Sequence, residues 1–143
     1  MICLSRSLVA ELFAYLAGHY PHEACGLFVG TRGGPDGDVV TAIRPVANLN
    51  TERAADRYEL DPKGWMAVEK EARGRGEIIL GVYHSHPDHP ARPSPTDLER
   101  AWPDLVYLIA SIRGGTAAEW TCWTLNEAAK RFDPVVVKLT TPG

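Results

Sequence analysis

The run Ile78-Ile79-Leu80-Gly81-Val82-Tyr83 is apolar without a break and leads directly into His84-Ser85-His86-Pro87. A half-exposed strand alternates apolar and polar residues, because successive side chains point to opposite faces. A β-prone run without that alternation is covered on both faces, as the central strand of a sheet flanked by helices is. The chain must therefore build layers around this segment. Its 143 residues are 45% hydrophobic and 23% charged, enough apolar material for one core and too short for two ordinary domains. The expectation is one α/β domain over residues 1–143, a single mixed β-sheet packed with helices.

The rest of the pattern supplies those helices and strands. Leu8, Val9, Leu12, Phe13 and Leu16 recur at helical spacing, Ser5 or Ser7 stands where a cap is needed, and Gly18 and Pro21 close the segment. Residues 25–31 read as a short buried strand, TRGGPDGD as a turn, and residues 38–46 as the returning strand of a hairpin. Residues 47–57 have the polar, irregular composition of a surface loop, and residues 58–60 suit a short strand. Asp61 followed by Pro62 marks a helix start, Trp65, Val68 and Ala72 give that helix its apolar face, and Gly74 and Gly76 stop it. After the histidines come a Pro-rich loop, a short helix over residues 96–102 closed by Pro103, and strands over residues 105–111, 120–125 and 135–139. Trp102, Trp120 and Trp123 are assigned to core or sheet packing.

Composition excludes several kinds of partner. The net charge is −3 and Lys and Arg are scattered, which leaves no footprint for nucleic acid or an anionic membrane surface. No apolar run approaches the ~20 residues that span a bilayer, and no leader pattern is visible. The expectation is a cytoplasmic protein with neither membrane nor nucleic-acid partner. Cys3, Cys25 and Cys122 are odd in number, far apart and without a CxxC pair. They argue against a disulfide framework or a Cys-based zinc ribbon and read as small buried hydrophobes.

The chemistry concentrates after the central strand. Two histidines at i and i+2 on an extended strand project from one face, so His84 and His86 are able to converge on one ion. They stand at the strand's carboxyl end, where open sheets place their sites. Pro87, Pro90, Pro93 and Pro95 stiffen the following loop and limit the entropy lost when it returns a carboxylate to that ion. Asp97 is that carboxylate. Two imidazole nitrogens and one carboxylate oxygen leave a fourth tetrahedral position for water, the arrangement of hydrolytic zinc. Such a water needs a neighbouring base, and Glu23, between the first helix and a buried strand, is placed to act as one.

The segment HSHPDHPARPSPTD resembles the H-x-H-P-x5-P-S-x2-D signature of the JAMM/MPN+ metallopeptidases. Upstream, PHEACGLFVG resembles the P-x-E-x-C-G-L-x-x-G block around that family's glutamate, and the order of strands and helices agrees over nearly the whole chain. The resemblance implies a cytidine-deaminase-like three-layer sandwich, with His84, His86 and Asp97 holding one Zn2+ per chain and Glu23 as general acid/base. It also implies that Ser94 donates a hydrogen bond to the oxyanion of the tetrahedral intermediate. The chain resembles the compact bacterial branch, which implies a ubiquitin-like sulfur-carrier protein as substrate. Hydrolysis after the carrier's C-terminal Gly-Gly would release cysteine or extra C-terminal residues. Extended tails dock by adding a strand to a sheet edge, and the stretch from Asn48 to Arg57 is the candidate substrate-binding edge. Two alternatives stay open: a JAMM-type peptidase or isopeptidase on another ubiquitin-like or small peptide, and a non-catalytic MPN scaffold. A zinc nucleoside deaminase would need H-x-E and P-C-x-x-C, which this chain lacks.

Local readings compete with these assignments. Ser94-Pro95-Thr96-Asp97 is also a capping box, with Ser94 as N-cap and Asp97 as the third helical residue. A metal-bound Asp97 is not expected to reach fully back to the N-cap amide as well. His89 reads as a solvent-exposed loop residue near the site, and Cys25 as core packing.

Overall fold

A computed structural model describes residues 1–50 and 58–141. In chain order the elements are β1 (Ile2–Ser5), α1 (Arg6–Ala17), β2 (Cys25–Gly34), β3 (Gly37–Val46), α2 (Pro62–Gly74), β4 (Ile78–Pro87), α3 (Pro95–Arg100), β5 (Val106–Arg113), β6 (Thr116–Asn126), β7 (Arg131–Pro134) and β8 (Val137–Thr140). Both long helices start where their caps predict: Ser5 Oγ accepts the Leu8 amide at 3.2 Å, and the Asp61 carboxylate accepts the Lys63 amide at 3.0 Å.

The strands form one mixed sheet in the order β7-β6-β5-β4-β2-β3-β1-β8. β4 lies in its middle, antiparallel to β2 and parallel to β5, as its unbroken apolar run requires. β7 and β8 stand at opposite ends of this order, yet only Val135 and Val136 separate them in the chain. The Val135 amide donates to Cys122 O on β6 at 2.9 Å, and the Ile2 amide on β1 donates to Val136 O at 3.1 Å. The sheet therefore curls until its two edges approach. α1 fills the concave side, where Leu12 and Leu16 pack with Ile2, Leu4, Phe28, Leu80 and Leu108. α2 covers the outer face, where Val68 and Ala72 meet Leu27, Val29, Val82 and Tyr107. Each fully buried side chain of this size contributes about 1.5–3 kcal/mol relative to exposure. Helix, sheet and helix are the three layers expected.

β4 changes phase before it reaches the histidines. Against β2 it pairs Cys25 with His84, Gly26 with Tyr83, Leu27 with Val82, Phe28 with Gly81, and then Val29 with Ile79, which leaves one extra residue at Leu80. Counting by twos from Ile79, which faces α2, would put Tyr83 and Ser85 on that side. The bulge shifts the count. Val82 packs on the α2 face, Tyr83 turns into the α1 core, and the two imidazoles follow Val82. At this point a Cβ on Gly81 would collide with the Val106 carbonyl oxygen and the Phe28 ring.

Four local expectations are corrected. Ile2, Cys3 and Leu4 form a buried strand ahead of α1; four residues are too few for a period to show, and the partners β3 and β8 are distant in sequence. The strand expected over residues 135–139 starts later, as Val137–Thr140 pairing β1, and a separate strand, Arg131–Pro134, precedes it against β6. Residues 58–60 contribute an isolated bridge, Asn48 with Leu60, instead of a strand. α3 ends at Arg100, and Trp102 beyond it is 68% exposed, outside the core. Trp120 does pack, edge-on to Phe13 with ring centroids 6.4 Å apart. No helix among the described residues is long and apolar enough to cross a membrane.

Replacing Gly81 by Ala is expected to cost about 1–3 kcal/mol through overpacking against β5 and Phe28. A lower urea midpoint at unchanged slope would register it.

Candidate metal centre

Pairing of Cys25 with His84 brings the segment before β2 to the carboxyl end of β4. Ser85 points away from the imidazoles and secures that segment. Its Oγ accepts the Ala24 amide at 2.9 Å, and its own amide donates to Ala24 O at 3.0 Å. Glu23, the next residue back, is buried at 5% exposure. One ligand-type atom from each of Glu23, His84 and His86 lies within 4.8 Å of the others, a grouping able to hold a metal ion.

Asp97 arrives from the opposite direction, in the first turn of α3. Ser94 Oγ accepts the Asp97 amide at 3.1 Å, and Asp97 Oδ2 accepts the Ser94 amide at 2.8 Å. The same carboxylate stands 3.3 Å from His84 Nε2 through Oδ1 and 3.2 Å from His86 Nε2 through Oδ2. The two Nε2 atoms are 3.2 Å apart. Cap and imidazole contacts coexist on this carboxylate. An ionised carboxylate offers about four acceptor positions, so the amide and the imidazoles use different lone pairs.

The surroundings orient these groups. His86 Nδ1 lies 3.0 Å from Pro90 O. A carbonyl only accepts, so Nδ1 carries the hydrogen, and in the neutral ring Nε2 turns its lone pair to the cluster. His84 is wholly buried beneath the Tyr58 ring, with centroids 4.3 Å apart and planes 22° apart. Burial pushes His84 below the usual histidine range and outweighs the pull of Asp97. Burial acts the same way on His86, but the hydrogen bonds to Asp97 and Pro90 prevail and raise it. Burial would raise Asp97 too; contacts with His84 and His86 overcome it and hold the carboxyl well below the usual carboxylate range. The carboxylate and the two imidazole Nε2 atoms thus face one point, where a positive charge is stabilised. Donors about 2.0 Å from a tetrahedral ion stand about 3.3 Å from one another, the spacing these groups already have. The donor set fits a divalent metal that takes nitrogen and oxygen.

The cluster opens into a cavity of about 330 Å³ whose walls include Glu23, Tyr58, His86, His89, Ser94 and Asp97. Of the residues singled out in the sequence, Glu23, His84, His86 and Asp97 meet at one place, and Ser94 and the exposed His89 face the same cavity. Cys25 is fully buried with its thiol toward Val46 O at 3.5 Å. Burial, then the nearby Glu23 charge, pushes that thiol up to about 12, so it packs as a thiol and is no nucleophile. Of the Asn48 to Arg57 stretch, residues 51–57 lie outside the described residues. Sequence reasoning gave no role to Tyr58, which roofs His84, or to Arg100, whose Nη1 donates to Tyr58 O at 3.2 Å. Neither pairing leaves a local signal, because its members are distant in the chain.

A family model described as prokaryotic homologs of the JAB domain matches residues 5–126. The chain is 45% identical over 108 residues to the desampylase of Haloferax volcanii, covering 73% of this chain and 74% of that one. It is 28% identical over 138 residues to the CysO-cysteine peptidase of Mycobacterium tuberculosis, covering 96% and 91%. The solution structure of a protein from Desulfitobacterium hafniense is similar with a TM-score of 0.85 and 31% identity, over 99% of this chain and 94% of that one.

A divalent transition metal supplied at about 100 times its Kd is expected to stabilise the protein by about 2.7 kcal/mol. For a chain of this length that is a rise of roughly 5–10 °C in Tm. A chelator should reverse the rise, and His86→Ala should abolish it, as read by a thermal melt with and without metal.

Proposed function

Because the chain belongs to the prokaryotic homologs of the JAB domain, we propose that residues 1–143 form one zinc-dependent metallopeptidase domain. Its substrate is a ubiquitin-like sulfur-carrier protein, cut at the amide bond after the C-terminal Gly-Gly to release cysteine or extra C-terminal residues. The observation that carries this reading is the meeting of Glu23, His84 and His86, with Asp97 against both imidazoles, at the floor of an open cavity. A scaffold that only binds has no use for a buried acid beside such a donor set, which favours the enzyme over a non-catalytic MPN domain.

In this reading His84, His86 and Asp97 hold one ion per chain. Zinc bound there supplies Lewis-acid polarisation of the scissile carbonyl and lowers the pKa of a water toward ~7. Glu23 takes a proton from the attacking water and delivers it to the departing amine nitrogen, so that a C–O bond forms as the amide C–N bond breaks. Ser94 uses a lone pair of Oγ to accept the Asp97 amide. Its O–H stays available to donate to the carbonyl oxygen as negative charge develops.

Support for a carrier substrate comes from the mycobacterial CysO-cysteine peptidase, to which the chain is similar over 96% of its length. A second reading, a JAMM-type peptidase or isopeptidase on another ubiquitin-like or small-peptide substrate, is favoured by the higher identity, 45%, to the Haloferax desampylase. A cytoplasmic location goes with either.

Mass spectrometry of zinc-loaded protein incubated with carrier–cysteine adducts and with unrelated peptides tests the substrate. Release from the carriers alone is expected, and equal turnover of both sets overturns carrier specificity. Glu23→Gln is expected to retain metal while kcat falls at least ~100-fold. Asp97→Ala is expected to lose the metal, whereas loss of a helix cap alone would cost about 1 kcal/mol of stability with metal retained.

A further inference from the structure

Glu23 belongs to neither helix nor strand, so its carboxylate is only as fixed as the backbone beneath it. Ser85 secures the Ala24 side. The Glu23 carbonyl accepts from Asn48 Nδ2 at 3.0 Å. The other end of the same amide, Oδ1, accepts the Asn50 amide at 3.0 Å and the Glu59 amide at 2.9 Å. The N–H groups at one end and the carbonyl at the other determine which end is oxygen and which nitrogen. Backbone bonds run alongside: Leu49 N donates to Glu59 O at 2.8 Å and Asp61 N to Ala47 O at 3.2 Å. Asn48 thus joins the residues on both sides of the 51–57 stretch to each other and to the backbone of Glu23.

The geometry points to Asn48 as a positioning residue for the reaction proposed above, on whose assignment of Glu23 it rests. Its side-chain amide sets where the Glu23 carboxylate stands relative to the attacked carbonyl and ties that placement to the rim of the cavity. Tyr58, adjoining Glu59, is on that rim. A substrate tail that presses on Tyr58 or Asn50 works against the same amide that places Glu23.

The test uses the full, zinc-loaded chain and the isosteric exchange Asn48→Asp. Aspartate keeps an acceptor for the Asn50 and Glu59 amides and replaces the donor to Glu23 by oxygen. On a carrier–cysteine adduct kcat is expected to fall roughly 100-fold, the scale of a misplacement of about 1 Å. KM should stay within about threefold, because ground-state binding is not what is lost. Metal content should not change, and hydrogen exchange at the Asn50 and Glu59 amides should stay slow. Combined with Glu23→Gln, the exchange should add nothing further, since a residue acting through another is non-additive with it. Wild-type kcat in Asn48→Asp, or fully additive losses in the double variant, overturns the inference. If the aspartate variant does not fold, Asn48→Ser enters the same cycle under the same criteria. Failure of the proposed function looks different: the wild-type protein then releases nothing from the carrier, and Asn48 loses its premise.

Discussion

The Asp97 carboxylate, in the first turn of α3, accepts the amide of the N-cap Ser94 while it faces two imidazoles from the end of β4, and these two elements are joined through it. The group is buried and ionised, so removing its partners would leave a charge that the interior tolerates poorly, at a cost of several kcal/mol. Each contact therefore constrains the others. The capping box fixes where the carboxylate points, and the carboxylate fixes how closely α3 approaches the sheet. His84 and His86 are oriented in turn by Tyr58 above one ring and Pro90 O beside the other. The spacing suited to a metal is present as a property of the fold, because the imidazoles are anchored to β4 and the carboxylate to α3.

One strand serves both sides of the site. The imidazoles of β4 face the α2 layer, and Ser85 between them faces the other way and fastens the backbone beside Glu23. The alternation of a strand thus places the donors and the neighbouring acid from consecutive residues. Asn48 continues the fastening on the far side, with a long-range amide where no ladder reaches.

Much of this was readable before any coordinates. An unbroken apolar run names its own position in a sheet, and i, i+2 histidines on it must share a face. Asp61-Pro62 and Ser94-Pro95 announce helix starts because caps are local chemistry, and both are found there. What escaped has one cause: its partners are far apart in the chain. β1 is defined by pairing with β3 and β8, Tyr58 by the ring beneath it, and Asn48 by three backbone groups. Trp102 was misassigned for a related reason, since an aromatic side chain does not say whether anything lies opposite it.

The extra residue at Leu80 gives the location of the centre the character of a parity. A strand has two sides and nothing between, so the imidazoles cannot drift by degrees from one layer to the other. His84 and His86 stand five and seven residues beyond Ile79, odd counts that in a regular strand would open them into the interior of the curl, against α1 and away from solvent. The extra residue absorbs one step of that count and delivers them to the outer layer, where an incoming chain is able to reach them. Accessibility of the chemistry thus rests on the phase of the most buried strand, and a residue added between Gly81 and His84, with no second slip to absorb it, would turn both imidazoles inward.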